Sequence, residues 1–149
     1  MSEIHSFRSF DDVNEWLDRV EASTSVSVSS GFAPGVALAH CAQSIELQCS
    51  GYPELKPAAI RRTVGVLVKN RFVAKGSMSH GTDAPIPGAA PLGEVSVEQG
   101  VARLRGAIDS FRNHHKGMAE HFVYGRVDKI TAEMLQAMHI ANHADRITL

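Results

Sequence analysis

Residues 34–53 read "PGVALAHCAQSIELQCSGYP", and their interpretation decides the fold. Pro34 suits the first turn of a helix, where its missing N–H removes no intrahelical bond. Gly51 and Pro53 lie just past the point where a helix started there would end. Between these marks the stretch is apolar around most of its circumference. A helix of that kind is stable only when other elements cover it on nearly every side. One histidine, His40, sits in this surface. It lies beside Val36, Ala37, Ser44 and Leu47, between the apolar arc and a narrower polar edge that holds Gln43 and Glu46.

The rest of the chain supplies covering helices. Residues 9–22, "SFDDVNEWLDRVEA", open on Ser9 as an N-cap and carry Phe10, Val13, Leu17 and Val20 at helical spacing. A longer segment from Pro57 to about Lys75 places Ile60, Val64, Leu67, Val68 and Phe72 on one stripe. Ser96 followed by Gln99 is a capping-box signature for a helix striped by Val101, Leu104, Ile108 and Phe111. A last helix spans about Thr131 to Ile147. The alternating "STSVSVSSGF" of residues 23–32 reads as a loop in preference to a short strand. Strand signals are otherwise scarce, so the reading is an all-α bundle of four longer helices with a short extra helix at the start. The whole of 1–149 is read as one domain.

Residues 76–95, "GSMSHGTDAPIPGAAPLGEV", exceed ordinary loop lengths and precede the penultimate helix. They are either a lid over a functional site or a segment packed onto the bundle by its apolar residues.

Bulk composition narrows the function. The 149 residues are 44% apolar and 21% charged, which opposes disorder. The formal net charge is -1, with no cationic cluster beyond Arg61-Arg62, so nucleic acid is not an expected partner. No stretch reaches eighteen consecutive apolar residues, so no membrane partner is expected either. "MSEIHSFRSFDD" lacks the basic and then apolar regions of a secretory signal, and a cytoplasmic location is expected. Cys41 and Cys49, on one helix, are separated by roughly 12 Å of rise, too far for a disulfide.

Chemistry enters with "MLQAMHIANHADR", residues 134–146. His139 and His143 stand at i,i+4 and project to one side of a helix. Two imidazoles so placed can share a transition metal, with ring nitrogens about 2.0–2.1 Å from zinc. Ile140 follows His139 where the zinc-protease motif has glutamate, so that motif is absent. A buried His40 facing the pair would complete a facial three-nitrogen site with open positions, the pattern of a catalytic metal. Alternatively His40 is a core histidine satisfied by a carbonyl.

"GVALAHCAQSIELQCSGYPELKP", "HFVYGRV" and "ITAEMLQAMHIANHADRI" together resemble the DinB-like (YfiT-like) superfamily of metal-binding four-helix bundles, and within it a branch of short bacterial proteins of unassigned function. The resemblance covers most of the chain, the middle matching in layout more than in motif. It implies a divalent metal, zinc or nickel, held by one histidine of the second bundle helix and an H-x-x-x-H pair on the last. Those positions fall on His40, His139 and His143. The family's "G-x-L-T-x-E-E" entry to the last helix is here the longer "GRVDKITAEM". The resemblance also implies a homodimer and a small-molecule substrate, with a low-molecular-weight thiol as one candidate. Its chemistry would be metal-dependent thiol transfer or hydrolysis, while the alternative is a non-catalytic, metal-stabilised binding or dimerisation module.

Other polar residues have plainer expected roles. His121 is expected to stabilise a turn by a hydrogen bond, with a donor or acid/base role as the alternative. His114 and His115 are expected at a helix C-terminus, where their donors suit free carbonyls. His80 would reach the metal only if the long loop closes. Arg146 is expected to pair with a carboxylate such as Glu46, or else to bind an anionic substrate group. Tyr124 is expected to pack, with oxyanion donation as the alternative. No carboxylate presents itself as a general base.

Overall fold

The computed structural model describes residues 3–149. Its elements are α1 (Phe10–Ala22), β1 (Ser27–Val28), α2 (Pro34–Ser50), α3 (Ala58–Arg62), α4 (Val64–Lys75), α5 (Val97–Arg112), α6 (Lys129–Ala144) and β2 (Ile147–Thr148). The architecture is an all-α bundle with one two-stranded ribbon.

The helix starts follow the expected chemistry. Ser9 Oγ accepts from the Asp12 amide and Asp12 Oδ2 accepts from the Ser9 amide, a reciprocal cap on α1. Ser96 and Gln99 do the same for α5, each bond 3.0 Å long. Pro34 stands in the first turn of α2. Asp128 caps α6 by accepting from the Thr131 amide, so this helix starts two residues earlier than the apolar spacing suggests.

The core is built by α1, α2, α5 and α6. Phe10, Val13, Trp16, Leu17 and Val20 of α1 are all buried, and Phe10 meets Phe111 edge-on at 5.0 Å between ring centroids. The first helix is therefore a full member of the bundle. α2 packs most extensively on α5, and two glycines permit it. A Cβ on Gly100 would stand 2.7 Å from the Gly35 carbonyl oxygen, and one on Gly35 would collide with the Val95 carbonyl. Backbone meets backbone there, which only glycine allows.

Residues 57–75 depart from expectation. One helix with a core stripe is replaced by α3 and α4, broken at Thr63, whose φ and ψ of −123° and −90° are not helical. Ile60, Val64 and Leu67 face outward, with 40%, 54% and 69% of their surface exposed. Of the expected stripe, Val68 and Phe72 do turn inward, joined by the buried Gly65. A Cβ at Gly65 would clash with the Val123 carbonyl, so α4 approaches residue 123 through a position with no side chain. Val68 and Phe72 pack on a small second cluster around Tyr124, Leu135 and Met138.

α6 stops at Ala144, three residues short of the expected Ile147. The chain then pairs antiparallel with β1, Ser27 opposite Thr148 and Val28 opposite Ile147. The alternating Ser/Val segment thus holds a short strand where a loop was expected. Among the described residues no helix is long and apolar enough to cross a membrane.

Residues 76–95 pack against the bundle, as one of the two expectations has it. The Phe32 amide donates to the Thr82 carbonyl, Gln43 Nε2 to the Ala90 carbonyl, and Asn142 Nδ2 to the His80 carbonyl. Ile86 and Thr82 are buried by this docking.

Candidate metal centre

Helical geometry puts His139 and His143 one turn apart on α6, and the packing of α6 beside α2 turns His40 toward them. The three ring centroids are 4.9–5.1 Å apart. One potential ligand atom from each ring lies within 4.8 Å of the others. Sequence reasoning therefore identified a real convergence of residues 40, 139 and 143. These three histidines could hold one metal ion.

All three rings are buried, His40 at 5% exposure, and none forms a side-chain hydrogen bond among the described residues. His40 Nδ1, His139 Nδ1 and His143 Nε2 are sealed from solvent and meet no partner among the described residues. Buried imidazole nitrogens nearly always find a donor or acceptor. The alternative in which a carbonyl satisfies His40 is therefore not what the fold contains. Burial also keeps the rings neutral. It pushes the His40 pKa down to about 4 and that of His143 to about 3, with repulsion among the histidines as the lesser cause. His139 is pushed well below its ordinary value for the same reasons. Neutral imidazoles with unshared lone pairs are the form that coordinates a transition metal. The donor set suits zinc, nickel or copper better than magnesium or calcium. Phe32 covers one flank, parallel to His143 and 5.1 Å from the His40 centroid.

The other flank opens on a cavity of about 360 Å³. His40 and Ser44 of α2 and Leu135, Gln136 and His139 of α6 form its helical wall. The opposite wall comes from two loops, one with Met78, His80 and Ile86, the other with residues 121–124. His80 is closer than its sequence position suggested. Its ring stacks on His139 at 5.1 Å, although its nitrogens lie outside the three-histidine group. Gln136 was not singled out from the sequence. It is buried and donates to the Tyr52 hydroxyl at 3.3 Å, and that hydroxyl in turn donates to the Ser44 carbonyl. Burial raises the Tyr52 pKa to about 12. A glutamine on an apolar helix face was the available signal.

His121 stabilises a turn, as expected. Its Nδ1 accepts from the Val123 and Tyr124 amides, both at 3.1 Å, while its backbone pairs in both directions with Gly125. Gly125 has a φ of +76°, a value that favours glycine. The ring stacks on Tyr124 at 4.3 Å, and burial pushes its pKa down to about 3. Tyr124 packs, also as expected, against Phe72.

One expectation is corrected. Glu46 pairs with Arg103 through two bonds of 3.0 and 2.8 Å, because α5 and not the end of α6 runs beside it. Arg146 therefore does not pair with Glu46, and it lies outside the cavity lining. His114 and His115 follow the C-cap Asn113 directly, at the C-terminus of α5 where they were expected. The cation at its free carbonyls is Lys129, whose Nζ donates to the carbonyls of Arg112 and His114.

The fold and site define a class: helical bundles with three converging, unpaired histidines beside an apolar cavity. Within the helical proteins the chain belongs to DUF1569, a family of proteins of unknown function, whose model matches residues 4–148. No curated protein and no solved structure matches the chain.

Proposed function

We propose that the protein binds one divalent transition metal, zinc or nickel, through His40, His139 and His143, and acts on a small molecule in the adjoining cavity by thiol transfer or hydrolysis. The observation that carries this reading is that three buried, neutral imidazoles converge with no side-chain hydrogen-bond partner among the described residues. Burying such groups costs stability unless a ligand occupies them. When bound, the ion would act as a Lewis acid that lowers the pKa of a thiol or water beside the cavity. α2 and α6 hold the three rings on rigid elements, Phe32 excludes water from the far flank, and Leu135, Ile86 and Met78 make the cavity apolar. The DinB-like resemblance supports the same ligand set and carries a homodimer, which sedimentation velocity tests.

One observation favours the non-catalytic alternative. No aspartate or glutamate lines the cavity, so no carboxylate is placed as a general base. In that reading the ion ties α2 to α6 and stabilises the fold. Elemental analysis of protein purified without added metal or a polyhistidine tag tests the shared premise. About one ion per chain is expected, and close to none in His143→Ala. If metal removal lowers the melting temperature while no thiol or ester substrate is turned over, the stabilising role replaces catalysis. If the unsubstituted protein neither contains nor takes up a divalent transition metal, both readings fail.

A further inference from the structure

The cavity wall opposite the metal cluster has its own chemistry. His121 is 7% exposed, and its ring is held by stacking on Tyr124 at 4.3 Å and Phe122 at 4.7 Å. Two backbone amides donate to its Nδ1. A nitrogen that accepts two N–H groups carries no proton of its own, so the ring's proton sits on Nε2. Among the described residues Nε2 meets no hydrogen-bond partner, and it is not among the buried atoms sealed from solvent. His121 also lines the cavity, which places an unsealed, unpartnered N–H beside that space. The result is a donor fixed in place, in an orientation set by the backbone.

Its surroundings select the acceptor. The cavity is mostly apolar, contains no acidic side chain, and has one charged side chain outside the histidines, Lys56. The Lys56 amide donates to the Phe122 carbonyl at 2.9 Å, which holds residue 56 beside the His121 turn. Its ammonium forms no ion pair among the described residues. A fixed N–H donor and a solvent-exposed lysine lining the same apolar space favour a negatively charged acceptor. We infer that the cavity binds a small, largely apolar carboxylate, with a carboxylate oxygen accepting from His121 Nε2 and Lys56 supplying the opposite charge. His121 would then be a ligand-binding residue in its own right, in addition to its structural role.

This inference stands on the cavity and not on the metal, and the test keeps the two apart. Phenylacetate serves as the probe and 2-phenylethanol as its uncharged counterpart, titrated calorimetrically into zinc-treated and chelator-stripped protein. Zinc content is measured on the same samples, so failure to bind zinc is seen separately and leaves the stripped arm intact. Phenylacetate is expected to bind at least tenfold more tightly than the alcohol in both arms. His121→Asn keeps an acceptor for the turn and deletes the Nε2 donor. It should weaken phenylacetate about tenfold, the scale of one charge-assisted hydrogen bond, while leaving the alcohol unaffected. Lys56→Met should weaken phenylacetate by about threefold, the scale of an exposed charge. Nitrogen-15 spectra of histidine-labelled, unsubstituted protein should show His121 protonated at Nε2 alone at neutral pH, a readout that survives if the variant does not fold. An Nδ1-protonated ring, equal affinities for acid and alcohol, unchanged phenylacetate affinity in a folded His121→Asn, or no phenylacetate binding at about 1 mM would each overturn it.

Discussion

The two walls of the cavity hold histidines that look alike in composition and differ in what they touch. On the helical side, the rings of His40 and His139, with that of His143 behind them and outside the cavity lining, are buried with no side-chain hydrogen bond among the described residues. On the loop wall, His121 is equally buried, yet two backbone amides occupy its Nδ1. Burial forces both groups to be neutral. The fold satisfies Nδ1 of His121, whereas Nδ1 of His40, Nδ1 of His139 and Nε2 of His143 meet no partner among the described residues. Partnering, and not burial, separates the two sets of rings.

Acid provides the harshest test of this contrast. All four rings have folded pKa values below the ordinary histidine range, with His40 near 4 and His121 and His143 near 3. The unfolded chain binds protons from about pH 6.5 downward. The folded chain refuses them until the lower values are reached. Stability is therefore full above about pH 6.5 and is lost as pH falls toward 4 and then 3. Metal-free protein followed by circular dichroism should unfold cooperatively inside that window, and a flat profile from pH 7 to 4 would mean the rings are open to water.

Metal loading comes next in size. An ion at a thousand times its dissociation constant stabilises by about 4 kcal/mol, which for a chain of this length raises the melting temperature by about 10 °C. His143→Ala should abolish that rise in a thermal melt with zinc. His121→Ala should leave the zinc-induced rise intact but destabilise the metal-free protein by about 2–3 kcal/mol, because two buried amides lose their acceptor. Urea titration of both variants checks the distinction. His40→Leu reverses the usual sign for a buried substitution. In metal-free protein it removes an unpartnered nitrogen and keeps side-chain volume, so it should be neutral or stabilising by up to about 1 kcal/mol. A large loss there would show that His40 is satisfied after all. Leu67→Ser on the outer face of α4 should change stability by less than about 0.5 kcal/mol.

That last position shows where sequence periodicity stops being informative. The helices of the bundle were legible because local signals and tertiary role agree: Ser9 with Asp12 and Ser96 with Gln99 cap helices whose apolar stripes are buried. In residues 57–75 they disagree. Ile60, Val64 and Leu67 satisfy a helical stripe, but which face turns inward was set by the close approach of Gly65 to Val123, a contact across almost sixty residues that periodicity does not encode. The candidate ligands were legible for the opposite reason. The i,i+4 spacing of His139 and His143 is local, and His40 stands out as an imidazole in an apolar helix. The tautomer of His121 and the stacking of His80 on His139 depend on loop geometry, which residue types alone leave open.

The end of α6 carries one further consequence. Final helical turns ordinarily fray, because their last carbonyls lack intrahelical donors. Here His143 lies in such a turn, yet the residues just beyond are fastened twice, once by backbone and once by side chain. The Ser29 amide donates to the Arg146 carbonyl at 2.8 Å beside the β1–β2 ribbon, and Asp145 Oδ1 accepts from the His5 amide at 2.6 Å. Two threads from the N-terminal part of the polypeptide thus quiet the one imidazole that helical geometry would leave most restless, so the entropy of ordering it is spent during folding.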